Sequence, residues 1–169
     1  MNQISFQNDI LPLKNKLYRL ALRIILNQED AEDIVQETMI KVWNRRQQWE
    51  QIESMEAFCM TICRNLAIDK IRHTNTDRQT LDTVEHDTPD TNYHANPELQ
   101  TIERDRLQQV KLIISKLPEK QRTCMQLRDF EGKSYKEIAD IMGISEEQVK
   151  VNIYRARQSV KQQFLNSDE

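Results

Sequence analysis

Glycine is almost missing from this chain: two occur in 169 residues, beside four prolines and a hydrophobic share of 38%. So few turn residues exclude a phosphate-cradling glycine loop and point to a helix-rich soluble protein, of a length that suits one domain or two small ones. Cysteine is scarce and odd in number, Cys59, Cys63 and Cys124, with no C-x-x-C pair. Reduced, buried thiols are the expected state. Cys59 and Cys63 stand four apart on one side of a predicted helix, but His73 alone does not complete a metal site, so no metal or other cofactor is expected. Long apolar runs are lacking too. The stretch Leu20 to Leu26 is interrupted by Arg23 and is far too short to cross a bilayer. The first residues lack the basic-then-apolar layout of a secretion signal. A cytoplasmic protein with no membrane insertion is expected.

What the chain does have is helical periodicity. Leu13, Leu17, Leu20 and Ile24 form one stripe, with Pro12 placed for a first helical turn. A second helix is predicted from about Glu29 to Trp43, burying Ile34, Val35, Thr38 and Val42. A third starts near Ser54, a plausible cap, and buries Met55, Phe58, Cys59, Ile62 and Leu66. From Thr74 to Pro97 the pattern fails: Thr, Asn and Asp abound, and scattered apolar positions cannot offset chain entropy. Periodicity then resumes. Leu107, Val110, Ile113 and Ile114 mark a helix closed at Leu117-Pro118; the next carries Cys124, Met125 and Leu127 up to Phe130 and stops at Gly132. Ser134 and Glu137 open another, with Tyr135, Ile138, Ala139 and Met142 as its stripe. No alternation suggests a strand. The expected fold is all-α: two small helical domains, residues 1–74 and 98–169, joined by a flexible acidic linker at 75–97.

The last helix stands apart electrostatically. The chain carries a net charge of −3, yet after Glu147 the segment Met142 to Lys161 has no acidic residue, only Lys150, Arg155, Arg157 and Lys161. Gly143-Ile144-Ser145 makes a short turn, and Ser145 with Gln148 forms a capping box. A helix pair joined this way is a helix-turn-helix signature. Val149, Ile153, Ala156 and Val160 share one side of the second helix. The opposite side presents Glu147, Val151, Tyr154, Arg155 and Gln158, while Lys150, Arg157 and Lys161 line one flank. A helix in a major groove needs short groups and an arginine toward base edges, with cations beside it for the phosphates. A merely solvated amphipathic helix is the alternative; the tight turn and one-sided charge favour DNA recognition.

The segment Leu117 to Lys161, "LPEKQRTCMQLRDFEGKSYKEIADIMGISEEQVKVNIYRARQSVK", resembles region 4 of the extracytoplasmic-function sigma factors of bacterial RNA polymerase. The blocks "NQEDAEDIVQETMIKVW" (Asn27 to Trp43) and "AFCMTICRNLAIDKIR" (Ala57 to Arg72) are similar to region 2. The resemblance implies a promoter-specificity subunit that reads a −35 element through Gln148, Lys150, Val151, Tyr154, Arg155, Arg157, Gln158 and Lys161. Arg155, in the "RAR" match, is the leading candidate for base contact. Val151 stands where a serine is common and would favour a thymine methyl. In the N-terminal part, the resemblance implies that Thr61, Arg64, Asn65, Ile68 and Arg72 serve −10 recognition and strand opening, Asn65 at a base and Arg64 and Arg72 along the strand. By itself, the composition of this helix assigns Ile68 and Ile71 to burial.

Asp33, Gln36, Glu37 and Ile40 share one face of the second helix. On its own that face meets solvent, a basic partner or a metal; the resemblance makes the partner the β′ clamp helices of core polymerase. It further implies docking of Leu117 to Phe130 on the β flap and, as an expected kind of partner, an anti-sigma factor. An acidic chain with one basic helix suits weak DNA binding by the free protein, since phosphate neutralisation dominates affinity.

Two other classes compete. A stand-alone helix-turn-helix regulator would bind DNA tightly without polymerase, with two-fold symmetry. An enzyme could use Glu29, Asp33 and Glu37 to hold Mg²⁺, but that needs a second acidic helix facing the first, and the sequence offers none. No catalytic residues are expected.

Overall fold

The structure, a computed structural model, describes residues 3–80 and 102–167. Regular structure among the described residues is entirely helical. A short π turn, Phe6–Ile10, and a 3₁₀ turn, Leu11–Leu13, lead into α1, Lys14–Ile25. Pro12 sits at the first positions of that 3₁₀ turn, where its missing N–H costs nothing. Leu26 ends α1 in the left-handed region at φ 60°, its N–H bonded to the Leu22 carbonyl. Asn27 then caps α2, Gln28–Asn44, accepting from the Asp30 N–H at 3.0 Å. After a 3₁₀ segment, Arg46–Gln51, α3 runs Met55–Thr80. The Ser54 hydroxyl accepts from the Ala57 N–H at 3.2 Å, as expected of its cap position.

The C-terminal half comprises α4, Ile102–Ser115; α5, Glu119–Met125, continued as a π turn to Phe130; α6, Tyr135–Met142; and α7, Glu146–Ser167. Among the described residues no helix is long and apolar enough to cross a membrane.

The apolar stripes read from sequence are largely inside. Leu17, Leu20, Ile24, Ile34, Val35 and Val42 are buried, as are Cys59, Ile62, Ile138 and Met142. Three details differ from expectation. Leu107 is 55% exposed, so α4 buries only its C-terminal end, through Ile113 and Ile114. Phe130 is 55% exposed, with the Arg23 guanidinium 5.5 Å from its ring centre. Helix α3 continues to Thr80, past the expected start of the linker, because nothing from Thr74 to Thr80 is a glycine or proline that would stop it. The rest of the expected linker lies outside the described residues.

The two halves pack on each other. Helix α3 lies against α6 and α1 against α5, and one apolar cluster runs from Ile10 through Met60 and Cys63 into Leu127, Ile141 and Ile153. That contact explains why Met60, off the predicted stripe, is fully buried. A smaller cluster joins Ile114, Leu117, Met125 and Ala156.

Candidate nucleic-acid interface

The turn between α6 and α7 depends on one backbone conformation. Gly143 lies at φ +68°, which an L side chain rarely adopts, although a Cβ there would meet nothing. The N–H groups of Gly143 and Ile144 both reach the Ala139 carbonyl, closing α6. Ser145 and Gln148 then satisfy each other's backbone: Ser145 Oγ accepts from the Gln148 N–H, and Gln148 Oε1 accepts from the Ser145 N–H, each at 3.1 Å. Gln148, expected at DNA, therefore has its side-chain oxygen committed to the cap.

From that start, α7 divides into faces as its sequence requires. Val149, Ile153 and Ala156 are buried. Glu147, Val151, Tyr154, Arg155 and Gln158 are exposed, Tyr154 at 65%. A shallow open depression at the N-terminal end is lined by Ser145, Glu147, Gln148, Val151, Asn152 and Arg155. Lys161 is exposed on the flank. The other flank cations have partners that sequence reading did not supply. Arg157 is gripped by both carboxylate oxygens of Asp129, the Nε bond being 3.1 Å. That hydrogen bonding raises the Arg157 pKa against the desolvating effect of burial. Lys150 Nζ lies 5.3 Å from the centre of the Tyr135 ring.

The residues expected at a −10 element have mixed surroundings. Asn65 and Arg72 are exposed. Thr61 is half-buried and donates to the Ala57 carbonyl at 2.8 Å. Ile68 packs against the core, as composition alone suggests. Arg64 faces the other half of the molecule: Nη1 donates to the Met142 carbonyl at 3.4 Å and Nη2 to Glu119 at 3.5 Å. Its Nε is buried without a hydrogen-bond partner, a costly arrangement.

Arg64 belongs to a polar seam that sequence reading missed. Arg19 donates to Glu131 through two nitrogens, and Arg23 to Gln126 at 2.9 Å. Glu56 accepts from Lys16 at 3.1 Å and from Lys133 at 2.8 Å. Arg122, buried on α5, donates to the carbonyls of Arg23 and Ile24 at the end of α1. Burial lowers its pKa. The one sequence signal was Arg23 itself, a charge inside an apolar run.

On α2, Asp33, Gln36, Glu37 and Ile40 are all exposed on one face, Ile40 at 60%. Lys70 of α3 reaches Asp30 at 3.0 Å and Asp33 at 3.8 Å. The three cysteines are buried, and burial pushes each thiol to about 12. Burial of this kind disfavours the reactive thiolate form at neutral pH.

Comparison with known proteins now bears on these surfaces. The family model for Sigma-70 region 2 matches residues 10–76, and that for Sigma-70, region 4 matches residues 107–160. The chain belongs to the sigma-70 family. Several of its relatives are named ECF RNA polymerase sigma factors. It is 33% identical over 153 residues to the ECF RNA polymerase sigma factor SigE of Mycolicibacterium smegmatis, covering 87% of this chain and 56% of that protein. It is 28% identical over 170 residues to the ECF RNA polymerase sigma factor SigW of Bacillus subtilis, covering 96% and 90%. Among solved structures, the sigma factor RpoE in complex with the anti-sigma factor NepR from Bartonella quintana matches with a TM-score of 0.79 at 26% identity, covering 97% of this chain and 98% of that one. CnrH, solved with the cytosolic domain of CnrY, shares the fold at a TM-score of 0.69 and 21% identity. In this sigma-70-family chain, α1 to α3 carry region 2, and α4 to α7 carry region 4.

Proposed function

We infer that this chain is a promoter-specificity subunit that binds core RNA polymerase in the cytoplasm and directs initiation, with no bond chemistry of its own. The observation that carries the reading is the pairing, in one chain, of regions 2 and 4 with an exposed face on α7 that carries Arg155. Residues 1–74 take the polymerase and the −10 element, and residues 98–169 take the −35 element, with 75–97 between them. In region 4, Arg155 and Val151 meet base edges, with Tyr154 and Gln158 beside them, while Lys150, Arg157 and Lys161 follow the phosphates. In region 2, the carboxylates of Asp33 and Glu37 steer toward a basic helical partner and Ile40 supplies buried area.

The packed arrangement sets a condition on this activity. Arg64 meets a DNA strand only after Glu119 and the Met142 carbonyl have left it. Region 4 therefore moves off α3 before the −10 element is read. An anti-sigma factor is a fitting partner, since the similar RpoE was solved with one.

The test is reconstitution. Purified chain and core polymerase are passed over a sizing column, then supplied with genomic templates for run-off transcription. Co-elution with new transcripts supports the reading. Tight duplex binding by the chain alone, with no effect on polymerase, would establish a stand-alone regulator instead.

A further inference from the structure

Every charged residue of α1 is a cation: Lys14, Lys16, Arg19 and Arg23 occur in Lys14–Ile25 without an acid. Lys16, Arg19 and Arg23 follow one another at spacings of three and four, which puts them on one side of the helix. In the packed chain that side faces region 4, through α5 and the turn after it. Arg19 grips both oxygens of Glu131, Nε at 2.8 Å and Nη2 at 3.1 Å. Arg23 donates to Gln126 at 2.9 Å, and its guanidinium carbon lies 5.5 Å from the centre of the Phe130 ring. Lys16 is held by Glu56 of α3, which Lys133 of region 4 also contacts. The Glu131 side chain is 3% exposed, whereas that of Arg19 is half in solvent, so the anion is sunk onto the stripe.

Phe130 and Glu131 thus bring to α1 an aromatic face and an anion on adjacent residues. A nucleotide of an unpaired strand brings the same pair: a base to stack on a guanidinium plane and a phosphate to fill an arginine fork. An acidic protein helix would match the charge but needs no ring over Arg23. The stripe also ends beside a residue already assigned to a strand. Arg122 donates to the Arg23 carbonyl, and Glu119, three residues earlier on α5, accepts from Arg64. Departure of region 4 strips Glu131 and Gln126 from the stripe and Glu119 from Arg64 together, on the same side of region 2.

We propose that Lys16, Arg19 and Arg23 form a surface for the backbone of an unpaired DNA strand, continuing the path of Arg64 onto α1, and that Phe130 and Glu131 occupy it while region 4 is packed. The proposal rests on the reading of region 2 as the part that holds a melted strand. It gives the seam a second use, since strand and region 4 compete for one stripe.

The probe is a single-stranded oligonucleotide carrying the −10 block recovered by start-site mapping, titrated across a salt series against holoenzyme assembled from core polymerase and the full chain. Each phosphate contact to a single strand contributes about 0.7 to the slope of log K against log salt. Arg19→Gln is expected to weaken binding several-fold and to lower the slope by about one contact. Lys14→Gln removes an equal charge from α1 off the stripe, and Glu131→Gln breaks the same ion pair from the other side; both are expected to match wild type. Unchanged affinity and slope for Arg19→Gln overturn the proposal and leave the stripe to region 4 or to an acidic protein. An equal loss from Lys14→Gln overturns it too, as an effect of general charge. With the free full-length chain, Glu131→Gln is expected to bind the oligonucleotide several-fold tighter than wild type, and no gain would refute the competition. Should Arg19→Gln fail to fold by circular dichroism, Lys16→Gln replaces it, with a lowered slope expected and an unchanged slope decisive against. Wild-type holoenzyme that binds no strand at all would instead remove the underlying reading of region 2.

Discussion

Arg122 donates to the carbonyl oxygen of Ile24 at 2.8 Å, so a region 4 side chain closes the end of a region 2 helix. The same guanidinium donates to the Leu117 carbonyl at 2.7 Å. The last carbonyls of a helix have no partner within it, and a buried cation is suited to both their hydrogen bonding and the helix dipole. Replacing Arg122 with methionine keeps the bulk and removes the donors. Charged hydrogen bonds of this kind contribute about 1.5–3 kcal/mol each. A lower melting temperature is expected, together with reduced energy transfer between dyes on α2 and α7. An unchanged melt with unchanged transfer would show that Arg122 does not tie the halves together.

Acid should loosen the same seam through Glu56. Burial disfavours its charge, but hydrogen bonds from Lys133 and Lys16 prevail and hold the carboxyl below its ordinary 4.5. A depressed folded value means the contribution is complete above 4.5 and is lost as pH falls through that lower value. In an acid titration followed by interdomain energy transfer, wild type should show a step in that window. Glu56→Gln should begin looser and lack the step. Identical titrations for both proteins would rule Glu56 out.

Arg155 is exposed on the face of α7 opposite its buried stripe. Arg155→Ala is expected to leave the fold and the association with core intact while cutting promoter binding by about 1–3 kcal/mol, the usual worth of an arginine–guanine pair. Equal loss of core association in a pull-down would contradict the division of labour between the halves.

Asp33 and Glu37 should behave in the opposite way. Both are exposed, so Asp33→Lys with Glu37→Lys is expected to cost little stability, within about 0.5 kcal/mol at Glu37 and about 1 kcal/mol at Asp33, which loses its exposed pair with Lys70. Reversed charge on the steering face should abolish co-elution with core while region 4 keeps its fold. An intact holoenzyme from the doubly substituted chain would move the polymerase contact elsewhere.

Local chemistry was the legible part of this molecule. Caps at Ser54, Ser134 and Ser145 need only a hydroxyl and the N–H two or three residues on, and all three form as spaced. The faces of α2 and α7 follow from 100° per residue, and their exposed sets agree with expectation. Burial that depends on which bundle meets which was not legible. Met60 and Ile141 lie off their predicted stripes and are buried because α3 and α6 cover each other. Arg122, Glu119 and Glu56 do not stand out in sequence, since each owes its place in the seam to a partner more than 35 residues away. Tyr135 was readable as apolar but not as the ring that Arg128 and Lys150 approach, because cation–π geometry depends on the turn at Gly132 as well as on residue type.

Start-site mapping with reconstituted holoenzyme on whole genomic DNA tests the two-module account most directly. The expected result is a set of starts absent with core alone, all preceded by two shared sequence blocks near −35 and −10 at near-constant spacing. Starts that share only one block, or none, would contradict it.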